Sequence, residues 1–102
     1  MKWRVVVRPE IEKDLTAAAD WYDTHEAGLG DRFIEEILDV FDFLANNPFL
    51  NSRRHPEMDV RWRYPEHFPY RVIYEVQESE KAVVVAAVIH AARHDRRWKK
   101  RI

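Results

Sequence analysis

Hydrophobic and polar positions divide the first part of the chain into a predicted strand and a predicted helix. Residues 3–7 form a short, β-branched run that Pro9 stops, which predicts a strand. Apolar residues then recur at helical spacing over 11–22, behind a proline and two glutamates that suit the first turn of a helix. This helix is predicted to end within 24–28, because glycines interrupt the pattern there.

A second helix is predicted from Asp31 to the Asn-Asn-Pro stop at 46–48. Acidic residues occupy one side of it, and a wide apolar stripe occupies the other. The stripe consists of Phe33, Ile34, Ile37, Leu38, Phe41, Leu44 and Ala45. Two antiparallel helices joined by a short glycine-containing loop predict a helical hairpin.

Three strands are predicted in the second half of the chain. After a polar loop at 49–58, residues 60–64 and 70–76 alternate between apolar and polar side chains. Residues 82–89 follow a hairpin turn and are hydrophobic on both faces, which is typical of a central strand. The order β-α-α-β-β-β predicts a single α+β domain over 1–102, with an antiparallel sheet and the helical hairpin packed across one face.

Composition favours a reducing, membrane-free environment. The chain has no cysteine, and only three consecutive valines stand near its start. That run is too short for the apolar region of a signal peptide, and no segment is long enough to span a membrane. We therefore expect a cytoplasmic protein with no membrane partner.

Charge is distributed unevenly along the chain. Residues 1–52 carry five Lys or Arg and eleven Asp or Glu, whereas residues 53–102 carry twelve and seven. Arginine outnumbers lysine twelve to five, which favours recognition of phosphate and carboxylate groups by a planar fork. Because local charge decides partners more than the total does, the basic second half is the place to search for an anionic partner.

Three arginines occupy alternating positions on neighbouring predicted strands. Arg61, Arg63 and Arg71 could share one face of the sheet. Like charges that lie close across strands destabilise a sheet, so such a cluster favours an anionic partner. The structural alternative is that each arginine pairs with Glu66, Glu75 or a helix carboxylate.

Two histidines and a basic tail follow the last strand. His90 and His94 are four residues apart, but no third ligand has a suitable spacing, so neither a metal site nor a cofactor is predicted. The last ten residues carry six Lys or Arg, including Arg96 and Arg97, with Trp98 among them. This composition resembles a nucleic-acid or acidic-protein contact, and a solvated, frayed end is the alternative.

Several motifs together resemble the RelE/ParE superfamily of toxins from bacterial toxin–antitoxin systems. They are Phe-Pro-Tyr-Arg-Val-Ile-Tyr-Glu-Val at 68–76 and Val-Ile-His-Ala-Ala-Arg at 88–93. The helical part is similar too, with Tyr22, Gly-Asp-Arg-Phe at 30–33, and the segment 44–48. The resemblance extends over almost the whole chain, and the predicted element order is also the order of the family.

The resemblance implies a stable protein toxin that a co-encoded antitoxin neutralises. Members of the RelE branch cut messenger RNA in the ribosome. Members of the ParE branch, which include plasmid stabilisation proteins, are associated with inhibition of DNA gyrase. The His-x-x-Arg ending at 90–93 is more similar to the ParE-type and plasmid-stabilisation members, so we expect a ParE-like toxin.

The resemblance also assigns roles to individual residues. Arg71 matches the arginine of the central Tyr-Arg motif, and Arg93 matches the arginine after the last strand. Arg61 and Arg63 fall where RelE-type nucleases carry basic residues. Those nucleases work without a metal, by stabilising phosphate charge and positioning the 2′-hydroxyl.

A nuclease would also need a base, and the resemblance supplies none on the strands. Arginine does not deprotonate, so His90 or His94 would have to transfer the proton. The near-neutral isoelectric point also fits poorly with docking onto a ribosome. Both observations favour a toxin that binds its target over one that cuts RNA.

Three functional hypotheses remain open from the sequence. The first is a ParE-type toxin that inhibits a protein such as DNA gyrase, with target-binding residues Arg71, Arg93, Arg96, Arg97 and Trp98. The second is a ribosome-dependent ribonuclease with catalytic residues Arg61, Arg63, Arg71, His90 and Arg93. The third is an inactive family member retained for its operon or its complex. All three predict a cognate antitoxin as a partner.

Overall fold

The computed structural model describes residues 2–50, 52–57 and 59–92. Within these residues the chain forms five strands and two α-helices. They are β1 (Arg4–Val7), α1 (Pro9–His25), α2 (Leu29–Asn46), β2 (Arg53–Arg54), β3 (Arg61–Arg63), β4 (Tyr70–Gln77) and β5 (Ala82–His90). A short 3-10 turn at Glu78–Glu80 joins β4 to β5, and Lys81 completes it with a positive φ of 52°, the backbone conformation that glycine more often supplies.

The strands form one sheet in the order β1-β5-β4-β3-β2. The predicted α+β class and the helical hairpin are confirmed. Strands β2 to β5 pair in antiparallel fashion, but β1 runs parallel to β5, so the sheet is mixed. The connection between this parallel pair is long and contains both helices and strands β2 to β4. The predicted polar loop at 49–58 also contains the short strand β2.

The central strand β5 contains a β-bulge. Ile73 of β4 lies opposite Ala87, but the next residue, Tyr74, lies opposite Val85. Ala86 is therefore inserted as an extra residue, which shifts the alternation of side chains along β5. Because of this shift, Val83, Val85 and Val88 all face the helices, although a regular strand would place the last of them on the opposite face.

The main core lies between the helical hairpin and the sheet. The helices contribute buried aliphatic and aromatic side chains, and β4 and β5 contribute valines and a tyrosine. Its members are Ile11, Leu15, Phe33, Ile37, Val40, Leu44, Phe68, Val72, Tyr74, Val83, Val85 and Val88. The predicted stripe of α2 is correct except at Leu38, which is 51 % exposed.

A second, smaller cluster lies on the sheet face that is turned away from the helices. Val60, Ile73, Ala87 and Ile89 are buried there, and Trp62 packs against them. The sheet therefore buries apolar side chains on both faces. This is why β5 is hydrophobic along its whole length.

The segment that follows α2 is tied to the sheet by a buried tyrosine. The Tyr74 hydroxyl donates a hydrogen bond of 2.6 Å to the Pro48 carbonyl, and the side chain is fully buried. Burial raises the pKa of the Tyr74 phenol, against smaller lowering effects from Ser52, Arg61 and Arg63. The phenol therefore remains a neutral donor at physiological pH.

Two glycines shape the junction between the helices. Gly28 adopts a φ of 88° at the start of α2, a conformation that favours glycine. Gly30 lies against α1, and its N–H donates a hydrogen bond of 2.8 Å to Asp23 Oδ1. A Cβ atom at position 30 would collide with the backbone carbonyl of Ala19 and with the Asp23 carboxylate. The close approach of the two helices therefore depends on glycine at this position.

A carboxylate joins α2 to the turn between β3 and β4. Glu36 accepts hydrogen bonds of 2.8 Å from the His67 backbone N–H and of 2.8 Å from its ring Nδ1. Arg32 lies 3.7 Å away on the same helix. Burial alone would raise the pKa of Glu36, but the two His67 hydrogen bonds and the charges of His67 and Arg32 outweigh it and lower the pKa. The contact secures Phe68, the neighbour of His67, in the main core.

Replacement of Gly30 by alanine is expected to destabilise the fold. The added methyl group has no room between the helices, and overpacking of this kind costs about 1–3 kcal/mol. The measurement is the free energy of unfolding by urea, with Glu35→Ala on the exposed side of α2 as the matched control. Equal stability of Gly30→Ala and the control would contradict the close approach described above.

The contribution of Glu36 to stability should depend on pH. Since the folded protein lowers its pKa, this contribution is present above the unfolded pKa and is lost as the pH falls through the folded pKa. Glu36→Gln should therefore be less stable than the wild type near pH ~7, and the gap should narrow towards pH ~3. Urea titrations at both pH values measure the gap, and Glu35→Gln serves as the control. A gap of constant size would show that the carboxylate charge is not responsible.

Candidate functional site

Arg61 and Arg63 lie on the helix side of the sheet, beyond the edge of the hairpin. Their partners across the ladder are Tyr74 and Val72, which both face the helices. The Arg63 guanidinium carbon lies 3.6 Å from the centre of the Phe43 ring, and that of Arg61 lies 4.9 Å from the ring of Phe49. Both arginines are therefore stacked on rings from the C-terminal part of α2 and the segment after it.

Hydrogen bonds further fix these two guanidinium groups. Arg61 Nη1 donates to Ser52 Oγ at 3.1 Å, and Arg63 Nη1 donates to the Leu50 carbonyl at 3.3 Å. An arginine that is both stacked and hydrogen-bonded loses little further freedom when it binds a partner. The two groups are thus oriented before any ligand arrives.

Arg71 lies on the opposite face of the sheet. It is directly across from Ile89, which belongs to the smaller cluster on the face turned away from the helices. Its guanidinium carbon is 5.8 Å from the centre of the Trp62 ring. The prediction that Arg71 shares a face with Arg61 and Arg63 is therefore wrong. The predicted alternation within each strand is correct. The register, however, pairs Arg61 and Arg63 with Tyr74 and Val72, whose side chains point to the opposite face from Arg71.

Burial limits what Arg71 can contact. Its side chain is 9 % exposed, and His55, which is 8 % exposed, lies against the same Trp62 ring at 6.3 Å between ring centres. His55 Nδ1 accepts a hydrogen bond from the Glu57 N–H. The Trp62 ring is therefore contacted by both Arg71 and His55.

His90 is the last residue of β5 and points to the helix side. It lies opposite Tyr70, and the two rings meet edge to face at 5.4 Å. Its Nδ1 accepts a hydrogen bond of 3.1 Å from the Ala92 N–H, so in the neutral ring the proton resides on Nε2. His90 and Arg71, which the ribonuclease hypothesis places in one catalytic set, therefore lie on opposite faces of the sheet. His90 pairs with Tyr70, and Arg71, the next residue of β4, points to the other face.

The remaining predicted site residues lie outside the described part of the chain. They are Arg93, His94, Arg96, Arg97 and Trp98. Their roles, like those of Arg61, Arg63, Arg71 and His90, stay predictions. Among the residues that the structure describes, no three His, Asp or Glu side chains lie close enough together to hold a metal ion. Neither of the described helices is long and apolar enough to cross a membrane.

Sequence reasoning missed a small pocket on the β2–β3 side of the sheet. Its volume is about 290 Å³. The lining residues are Phe49, Arg54, Asp59, Arg61, Val76 and Glu78. Arg54 lies directly opposite Arg61 across the ladder and reaches Asp59 at 3.3 Å. The only sequence signal for this site is the polar loop predicted at 49–58, which gives no indication of strand β2.

The described geometry separates the charged groups that a ribonuclease would need together. Arg61 and Arg63 stack on rings on one face, Arg71 is buried on the other, and His90 caps the end of β5 beside Tyr70. General acid–base chemistry requires groups within hydrogen-bond reach of one reacting centre. The half-buried Arg61 and Arg63 are better placed to bind an anionic surface.

Comparisons with known proteins agree with this fold. The sequence profile described as "ParE toxin of type II toxin-antitoxin system, parDE" matches residues 5–95. No curated protein sequence matches the chain. Among solved structures, the chromosomal ParDE toxin–antitoxin system from P. aeruginosa has a TM-score of 0.74 at 17 % identity, over 86 % of this chain and 95 % of that one.

Two further solved structures are similar. An arginine-to-alanine mutant of the E. coli toxin RelE in the free state has a TM-score of 0.69 at 17 % identity, over 90 % of this chain and 86 % of that one. A RelBE toxin–antitoxin complex from Mycobacterium tuberculosis has a TM-score of 0.60 at 16 % identity, over 88 % and 99 %. At these identities the structures support the fold alone. The profile, which covers most of the chain, supports the family, and the resemblance to the RelE/ParE superfamily is confirmed. The chain belongs to the family of ParE toxins of type II toxin–antitoxin systems.

Proposed function

We propose that this protein is a toxin that binds and inhibits a protein target such as DNA gyrase, and that a cognate antitoxin neutralises it. The family match over residues 5–95 is the observation that carries the proposal. The proposal places the protein in the bacterial cytoplasm, where it would act in the maintenance of a plasmid or of a chromosomal toxin–antitoxin locus. Target contact is assigned to Arg93, Arg96, Arg97 and Trp98, whereas Arg71, the fifth residue of the predicted set, is left out because its side chain is buried.

The arrangement of the described arginines supports binding over catalysis. Arg61 and Arg63 lie on the face opposite to Arg71, so these three do not converge on one phosphate. His90 is engaged with the Ala92 N–H and the Tyr70 ring on the helix side. An inhibitor that works by occupying its target needs only an exposed complementary surface.

The structural neighbours support an antitoxin partner. The P. aeruginosa structure is a ParDE toxin–antitoxin system, and the M. tuberculosis structure is a toxin–antitoxin complex. By analogy, a small protein encoded next to this chain would bind it and keep it inactive. This analogy rests on fold and family.

A ribosome-dependent ribonuclease is the second candidate. The similarity of the fold to E. coli RelE and the basic residues on β3 favour it. In that case Arg61, Arg63, Arg71, His90 and Arg93 would form the catalytic set. The separation of Arg71 from Arg61, Arg63 and His90 on opposite faces of the sheet is the observation that weighs against it.

Purified protein is expected to inhibit supercoiling by DNA gyrase at micromolar concentration and to leave translated messages intact. Plasmid topology on agarose gels measures the first activity, and primer extension on a reporter message in a translation extract measures the second. Addition of the purified product of the neighbouring small reading frame should restore supercoiling. Cleavage of the message with unaffected supercoiling would favour the ribonuclease, and the absence of both activities would favour an inactive family member.

Reversal of charge in the basic tail should weaken target inhibition without loss of folding. Arg96→Glu/Arg97→Glu removes two positive groups that are assigned to target contact, and paired charge changes at an interface commonly cost tenfold or more in affinity. The concentration that halves supercoiling should rise by at least about tenfold. Lys13→Glu/Arg53→Glu changes the net charge by the same amount on exposed positions elsewhere and should act like the wild type. The assignment fails if both double variants inhibit equally well at equal thermal stability.

A further inference from the structure

Three cations lie on three aromatic rings at one end of the sheet. Besides the stacked Arg61 and Arg63, Lys81 Nζ lies 4.6 Å from the centre of the Trp3 ring. The rings of Trp3 and Phe49 meet edge to face at 5.8 Å, which joins the Lys81 and Arg61 contacts. Arg63 adjoins them through its hydrogen bond to the carbonyl of Leu50, the neighbour of Phe49. We call it the ring-and-cation surface; it consists of Trp3, Phe43, Phe49, Arg61, Arg63 and Lys81.

Backbone contacts bring these residues together from distant parts of the chain. The Trp3 N–H donates a hydrogen bond of 2.6 Å to the Ala45 carbonyl, which joins the start of β1 to the end of α2. The Arg4 N–H donates one of 2.9 Å to the Lys81 carbonyl, which places Lys81 beside β1. The surface is therefore fixed by the fold, and binding of a partner would cost little conformational entropy.

Charge compensation on this surface is incomplete, although Asp59 and Glu78 lie in the adjoining pocket. In the part of the chain that the structure describes, Arg61 and Lys81 form no ion pair. Contact with a ring face supplies only about 0.5–1 kcal/mol at exposed sites. Arg54 lies directly opposite Arg61 across β2 and β3, but its own charge is compensated by Asp59 at 3.3 Å. An anionic partner would supply the counter-charge that Arg61 and Lys81 lack among the described residues.

Exposed apolar groups accompany the cations. Phe49 is 44 % exposed and Leu50 is 53 % exposed. The pocket of about 290 Å³ opens beside them, with Phe49 and Val76 as its apolar part. Apolar side chains that remain exposed next to oriented charges are typical of protein interaction sites.

A peptide fits this surface better than a nucleic acid does. Single-stranded nucleic acids stack their bases on open aromatic faces, but here a cation already occupies a face of each ring. Asp59 and Glu78 also line the pocket and would repel a continuous phosphate backbone. A peptide can place acidic residues on the cations and an apolar residue in the pocket.

We propose that the ring-and-cation surface binds an acidic, partly apolar peptide segment of a partner protein. Asp or Glu side chains of the segment contact Arg61, Arg63 and Lys81, and one aliphatic or aromatic side chain enters the pocket beside Phe49. The inference goes beyond the proposed function, because it concerns the chemistry of the bound segment and holds whether or not gyrase is the target.

The test is selection of a random-peptide display library against the full-length protein. Selected peptides should be enriched in Asp and Glu interrupted by a large apolar residue. Fluorescence anisotropy with a labelled selected peptide should show binding that weakens with added salt. Arg61→Gln/Arg63→Gln/Lys81→Gln should weaken it by at least about tenfold. The control Lys13→Gln/Arg32→Gln/Arg53→Gln removes three cations outside the surface and should bind as the wild type does.

Two further measurements keep the test decisive. If the triple variant is poorly folded by circular dichroism, Lys81→Gln and Phe49→Ala are measured singly, since both side chains are exposed or nearly half exposed. A short single-stranded RNA is added as a competitor. Selected peptides without acidic enrichment, equal binding by the wild type and the surface variants, or displacement by the RNA at comparable affinity would each overturn the proposal.

Discussion

The pairing of β5 on both of its edges fixes the position of every other element. It hydrogen-bonds to β1 on one edge and to β4 on the other, and it buries side chains on both faces. The extra residue Ala86 brings Val83, Val85 and Val88 to the same face, so the helical hairpin meets a continuous row of valines. Without the bulge, part of that row would point away from the helices and the main core would lose contact area.

The register of the sheet also determines on which face each charged residue lies. Since Val72 and Tyr74 face the helices, their β3 partners Arg61 and Arg63 must lie on that side, and Arg71 must lie on the other. Packing of the core therefore decides the distribution of the arginines. A sheet with this register presents two separate basic groups, one half-buried and stacked on rings and one buried. It cannot assemble the three arginines around a single anion.

The sequence predicted what depends on local periodicity. The helix limits, the alternation in β3 and β4, and the position of His90 at the end of β5 follow from spacing along one element. The register between β3 and β4 does not follow from such spacing. It depends on the conformation of the turn at 64–69, where the sequence shows no periodic pattern. The bulge at Ala86 is hidden, since residues 82–89 are all apolar and no polar side chain marks the change of face. The parallel pairing of β1 is a contact between the two ends of the domain. From the sequence, Phe43 and Phe49 resemble ordinary core or loop residues. Only the tertiary structure shows that arginines stack on their rings.

The residues that carry the family resemblance serve mainly to build the core. Phe68 packs against Tyr22 and Phe33, and Tyr70 packs against Phe33 and His90. These motifs therefore specify how the turn before β4 closes over the helical hairpin, and they say little about the target. A fold of this kind can host different activities when its exposed residues change and its core does not. The motifs that identify the family therefore leave its target open, and residues outside the core must distinguish one target from another.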